Sequence, residues 1–320
     1  QQQQQQQHMY YDAIANAQKT AILLSKVGFF DAAGRKYQQC IEIQARIYGA
    51  ISLPVAKGWS DYGAFLLTSK LVTKYDEAIE AYAKARAAYK ALSSQSNDND
   101  NENKNNDTSY SYSNMYMYQA ALMLLSTASI KVKQKDAAAA ILSYQKGIDE
   151  IRQQQHDHAY TMPMLKHLVS ASMKLGGLKA KRGDDVGALQ AYESILSLQY
   201  DTVTDTVTAN DEPSHSDINL ILDAGKAHIK CATIRQTMNQ PALAIGHLRE
   251  ALKHYTIKYG VSHRDTQAIA GSLRQLQLQE RQEKEKDLQE QSLSVVSKET
   301  EATTTATTTT TTTDESSPTT

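Results

Sequence analysis

The sequence predicts an all-α chain of about five antiparallel helix pairs plus a C-terminal capping helix. Three observations predict it. Apolar residues recur about every 3.6 positions through most of the chain, the period that lines one face of a helix. One short pattern returns five times in the same order. Proline and glycine are scarce, at five and fourteen of 320 residues, too few for the many turns of a β-rich chain.

The recurring pattern is Ala, an aromatic or Leu four residues on, and in most copies a small residue three further. Its copies are Ala33-Tyr37-Cys40, Ala78-Tyr82-Ala85, Ala140-Tyr144-Gly147, Ala188-Tyr192-Ile195 and Ala244-Leu248-Ala251. These spacings keep the three side chains on one helical face. The small residue admits a neighbouring backbone, and the ring fills the space beside it. Twelve residues before each Ala stand Ala21, Leu66, Ala128, Gly176 and Ala232, all but Leu66 small. A closely packed helix is therefore expected ahead of each one. Gly28 and its counterpart Gly183 fall where the two helices must turn, which suits a residue free to take positive φ.

Four polar segments lack the apolar content to offset the entropy of ordering them. They are residues 1–8, which open with a glutamine run, the Asn/Asp/Ser-rich stretch 93–111, the Thr/Asp stretch 200–214 with Pro213, and the Thr-rich tail 297–320. All four are expected to be disordered. A helical repeat domain is expected over 9–279, and a charged helical extension, polar all round, over 280–296.

The formal net charge is −1, so composition marks the chain neither as a polyanion binder nor as an acidic chaperone. Cys40 and Cys231 cannot build a disulfide framework and read as buried thiols of a reducing compartment, the cytoplasm or the nucleus. No apolar run reaches the length of a membrane span. The sequon Asn106-Asp107-Thr108 sits in a polar stretch and reads as chance.

No phosphate loop, dinucleotide turn, nucleophile elbow or zinc-protease pair occurs, so no catalytic residue, cofactor, metal or small-molecule substrate is expected. His156-Asp157-His158 lacks a further ligand at metal spacing and reads as a solvated loop. Tyr110, Tyr112, Tyr116 and Tyr118 alternate without interleaved Arg or Lys, which favours packing over a stacking platform for nucleic acid. Asp184-Asp185 at a helix start answers the helix dipole.

These residues resemble the tetratricopeptide repeat: Trp-x2-Leu-Gly-x2-Tyr, a turn Gly, then Ala-x3-aromatic-x2-Ala. Trp59-x2-Tyr62-Gly63-x2-Leu66 resembles the first half, although it sits about three residues too far upstream of Ala78. A longer first helix or an irregular turn is expected there. Successive pattern alanines (33, 78, 140, 188, 244) lie 45, 62, 48 and 56 residues apart. The breaks at Tyr48-Gly49 and Tyr259-Gly260 are similar to the longer repeats of kinesin light chains. The resemblance implies a right-handed superhelix whose first helices line a concave groove, and a scaffold or adaptor function.

Charge placement adds a partner class. Lysines gather on the first helices while most acids lie elsewhere. The resemblance places Lys19, Lys26, Lys133, Lys174, Lys181, Lys226 and Lys230 toward the groove, with Met173 and Ile229 as apolar contacts among them. The expected partner is another protein, presenting an acidic or phosphorylated peptide or helix. The alternative is a histone chaperone: Tyr48-Gly49, Tyr62-Gly63 and Ala78 to Lys90 are similar to the interrupted-repeat family of the nuclear autoantigenic sperm protein, but that family's acidic tract is absent. Lys226-x3-Lys230 resembles part of the carboxylate clamp that reads the end of large heat-shock chaperones. Gln18 and Ile22 stand where the clamp needs Lys and Asn, so that binding is not expected.

Overall fold

The computed structural model describes residues 2–69, 72–100, 107–154, 161–207 and 215–307. Among these there is no strand. The chain runs α1 (Gln2–Val27), α2 (Phe30–Tyr48), α3 (Leu53–Thr68), α4 (Tyr75–Asp100), α5 (Asp107–Lys133) and α6 (Ala137–Gln153). It continues as α7 (Met162–Lys181), α8 (Asp185–Val207), α9 (His215–Thr237), α10 (Pro241–Tyr259) and α11 (Arg264–Thr307). A 3-10 turn, Val72–Lys74, precedes α4.

One turn serves four of the five pairs. The residue five before each pattern Ala has positive φ: Gly28 at 89°, Lys135 at 63°, Gly183 at 77° and Asn239 at 56°. The next N–H then donates to a carbonyl five residues back: Phe29 to Leu24 and Asp136 to Lys131, both at 2.9 Å, Asp184 to Lys179 at 3.0 Å, and Gln240 to Arg235 at 2.8 Å. This closes the first helix by satisfying its last carbonyls. Asp136 and Asp184 then cap the second helix, their Oδ1 atoms accepting from Ala139 N at 3.0 Å and Gly187 N at 2.9 Å.

Packing follows the repeat. Ala33, Ala78, Ala140, Ala188 and Ala244 are each 0% exposed, and Tyr82, Tyr144, Tyr192 and Leu248 are buried beside them. Gly63 and Gly176 show how tight the helix pairs are. A Cβ on Gly176 would lie 2.7 Å from Tyr192 Cε1, and one on Gly63 would lie 2.9 Å from Tyr82 Cε1. Gly63, not Leu66, is therefore the second pair's close-contact position, which corrects the twelve-residue count. The connection between α3 and α4, which includes the 3-10 turn Val72–Lys74, holds the extra residues that displace the Trp59 motif upstream.

The polar segments contribute more helix than their composition predicts. Helix α1 begins at Gln2, α4 runs past Ser93 to Asp100, α5 starts at Asp107, α8 reaches Val207, and α11 reaches Thr307. Lengthening a helix already nucleated is far easier than starting one. Ser93, the first residue of the stretch expected to be loop, is also buried against Ser113 just beyond it, Oγ to Oγ at 2.8 Å, which ties α4 to α5. Residues 101–106, 155–160, 208–214 and 308–320 lie outside the described residues, and with them Asn106, the His156-Asp157-His158 cluster and Pro213.

Where the sequence predicts one domain over 9–279, the chain divides into two compact units, Gln1–Leu220 and Ile221–Thr320. In the first, each helix from α1 to α8 packs on the next. Glu150 of α6 ties this unit internally, bonding Arg86 at 2.5 Å and Lys90 at 3.0 Å on α4. The second unit has its own core of Ala232, Ala244, Leu248 and Tyr255 closed by Ile269, Leu273 and Leu276. Those last three recur at spacings of four and three on α11, which is the expected capping helix.

Candidate interaction surface

Two cavities open on the first helices of the first unit, and α3 contributes to both. Its apolar residues Val55, Tyr62 and Leu66 are buried. Pro54, Lys57, Asp61, Ala64 and Thr68, spaced at threes and fours, line a cavity of about 750 Å³ shared with α1 and α2. Ser60, turned one position from Asp61, lines a cavity of about 320 Å³ shared with α5 and α7.

The smaller cavity carries one of the expected lysines. Lys174 lines it with His167, Gln119 and the hydroxyls of Ser126, Ser129 and Ser170, and no carboxylate is among its lining residues. Tyr118 fixes His167, hydroxyl to Nδ1 at 2.6 Å. Tyr118 is thus buried packing, as its place in the alternating tyrosines predicts. Desolvation lowers the His167 pKa and the Lys174 ammonium lowers it further, against an opposing backbone hydrogen bond to Pro163. An array of hydroxyls, one imidazole and one ammonium can hydrogen-bond an anionic group without any competing acid.

The other expected contacts are dispersed. Lys19 and Lys26 are exposed on α1. Lys133 is exposed at the end of α5, with its Nζ 5.9 Å from the centre of the Tyr75 ring, and so is drawn toward the start of α4. Met173 is half-buried and Lys181 is exposed, both on α7. In the second unit, Lys230 is exposed and Lys226 is paired with Asp223 at 2.9 Å, a contact that raises the Lys226 pKa. Ile229 is half-buried and packs against its unit's core, so it offers less apolar surface to a partner than its place in the sequence suggests.

Sequence reasoning passed over two features. Asp61 stands in the larger cavity, open to water yet with protein around it. This partial desolvation raises its pKa, against an opposing effect of Lys57. In the second unit, histidines that look scattered in sequence meet across α9 and α10. His228 Nδ1 lies 3.0 Å from His247 Nδ1, and the His228 and His254 rings stack at 5.6 Å. The seven-residue spacing of His247 and His254 on α10 was the available signal. Among the described residues, no group of three or more His, Cys, Asp or Glu is placed to hold a metal ion. Cys40 and Cys231 are buried and free of disulfides. No helix among the described residues is long and apolar enough to cross a membrane.

No protein-family model and no curated protein matches the chain. Solved structures do show similarity. A putative kinesin light chain from Podosopora anserina with nearly identical TPR-like repeats is 12% identical, covering 77% of this chain and 96% of that one, with a TM-score of 0.47. MamA is 14% identical, covering 79% and 98%, with a TM-score of 0.44. The TPR2AB domain of yeast Sti1, in a pHSP90 complex, is 13% identical, covering 81% and 98%, with a TM-score of 0.27. This chain's own geometry shows its fold class, an all-α chain of antiparallel helix pairs, four of the five closed by the same left-handed turn.

Proposed function

We propose that this chain is a scaffold or adaptor that holds an acidic or phosphorylated segment of another protein against its first helices. The observation that carries this reading is the cavity with Lys174, His167 and several hydroxyls and no lining carboxylate. A phosphate or carboxylate there would accept from the ammonium and the hydroxyls, and Leu122 and Met123 in the same wall would contact an apolar neighbour. Lys181 on the same helix adds long-range attraction, and Lys19, Lys26 and Lys133 extend the positive field of the first unit. Lys226 and Lys230, with the edge of Ile229, would form a second contact on the other unit.

A degenerate peptide library with a fixed position occupied by phosphoserine, glutamate or serine tests the reading. The wild-type chain should retain the phosphoserine and glutamate members, and retention should weaken as salt rises. Lys174→Glu should leave the helical circular dichroism unchanged and weaken that retention up to about fivefold, the effect of one partly screened ammonium. Equal retention of all three members, without salt dependence, would refute the reading.

A further inference from the structure

The larger cavity, unlike the smaller one, carries a carboxylate, Asp61, with Lys57 beside it on the same wall. It is enclosed by α1, α2 and α3, and Asp61 lies in the line of α3 residues that forms its wall. Ile22, 47% exposed, and Leu53, 40% exposed, give it apolar rims. Tyr37 and Phe65 stack at 4.9 Å on another wall. Among the described residues, Asp61 forms no hydrogen bond and no ion pair, and its carboxylate acts on Tyr37 and Cys40 of α2 and on Tyr82 and Tyr89 of α4. Lys57, one turn earlier on α3, is the cation that acts on Asp61 from the same wall, but it makes no ion pair with it, so the carboxylate is open to a second cation that arrives with its own apolar stem.

We infer that the cavity between α1, α2 and α3 binds a lysine or arginine side chain of the partner protein, with its ammonium or guanidinium on Asp61 and its aliphatic stem against Ile22 and Phe65. This rests on the adaptor reading above and specifies its partner further. Asp61 and Ser60 are adjacent on α3 yet line different cavities. A segment crossing α3 therefore meets an acceptor of positive charge and an acceptor of negative charge in succession. The preferred partner sequence is bipolar, a basic residue on one side of the α3 crossing and an acidic or phosphorylated residue on the other. Charge complementarity argues for this occupant over an apolar side chain alone, which would leave Asp61 desolvated and unpaired.

The test uses the full chain and the same library, with phosphoserine fixed and every other position scanned through lysine, arginine, glutamine and leucine. The wild-type chain should select lysine or arginine over glutamine about tenfold at one position, the scale of a hydrogen bond to a charged group. Asp61→Asn, of nearly the same volume, should lose that selection and keep the preference for phosphoserine over serine. Lys174→Glu should do the reverse. Circular dichroism and the urea midpoint should match wild type in both variants. Selection of phosphoserine with no basic preference in the wild-type chain would overturn this inference alone. A basic preference that survives in Asp61→Asn would overturn it too, by placing the basic site elsewhere. A basic preference lost in Asp61→Asn, with no acidic preference in the wild-type chain, would overturn the adaptor reading's anion site alone.

Discussion

Gly176→Ala sets two effects of opposite sign against each other, and the packing of α7 decides between them. Replacing a mid-helix glycine by alanine favours the helix by about 1 kcal/mol. Here the new Cβ would lie 2.7 Å from both Cε1 and Cζ of Tyr192. The Tyr192 side chain is 2% exposed, so the ring has no free space to move into. Overpacking of this kind costs about 1–3 kcal/mol. The expected net result is a loss of about 1 kcal/mol. The neighbouring glycine of the same helix is the internal control. A Cβ on Gly177 would meet only the Tyr192 hydroxyl at 3.7 Å, an ordinary contact. Gly177→Ala should therefore stabilise, by up to about 1 kcal/mol. Urea unfolding followed by far-ultraviolet circular dichroism measures both, as midpoint shifts in opposite directions. Shortening the partner in Gly176→Ala/Tyr192→Leu should recover part of the loss relative to Tyr192→Leu alone. A Gly176→Ala midpoint at or above wild type would show that Tyr192 does not hold α7 at this distance.

Three other outcomes follow from the same coordinates. Lys135→Gly should raise stability by roughly 1 kcal/mol, because a lysine held at φ 63° bears a strain that glycine does not; urea unfolding measures it. Glu150→Ala should lower stability by about 2 kcal/mol, since Arg86 and Lys90 lose their shared carboxylate in a part-buried site, and Arg86→Ala in that background should cost little more. The second unit should lose stability in acid. The His228 pKa is lowered from 6.5 to about 4, first by desolvation and then by His247 and His254, with Glu250 opposing and Lys253 adding to the effect. A histidine whose folded pKa is depressed contributes stability that is complete above 6.5 and lost as pH falls from there toward 4. After discounting for partial exposure, that is about 1–2 kcal/mol, and His228→Phe should flatten the pH dependence of thermal unfolding over the interval.

The repeat was legible in the sequence because each of its requirements acts locally. An alanine at a helix crossing and a ring or Leu four residues on recur in all five copies, a turn five residues earlier recurs in four, and all five alanines are buried as that pattern predicts. The capping segment was legible for the same reason, since Ile269, Leu273 and Leu276 carry a helical period. Helix ends were not legible at the polar stretches, because composition measures the cost of starting a helix and not the lesser cost of prolonging one. The turn at Lys135 was hidden as well: a lysine gives no sign of positive φ, and the hydrogen bond from Asp136 to Lys131 shows that the same turn is made there.

The sequence by itself determined the helix pairs, their order and the alanines on which they cross, because these depend on periodicity along one chain. It also located the lysines, but not their surroundings. Only the tertiary structure set Lys174 apart in a cavity without acid, engaged Lys226 with Asp223, and drew Lys133 toward Tyr75. Only the tertiary structure placed Asp61 unpaired between three helices and brought His228 to His247 from nineteen residues away. The physical reason is that a charge takes its character from the dielectric and the partners around it, and in a stack of helices those come from neighbours in space whose spacing in sequence carries no fixed period.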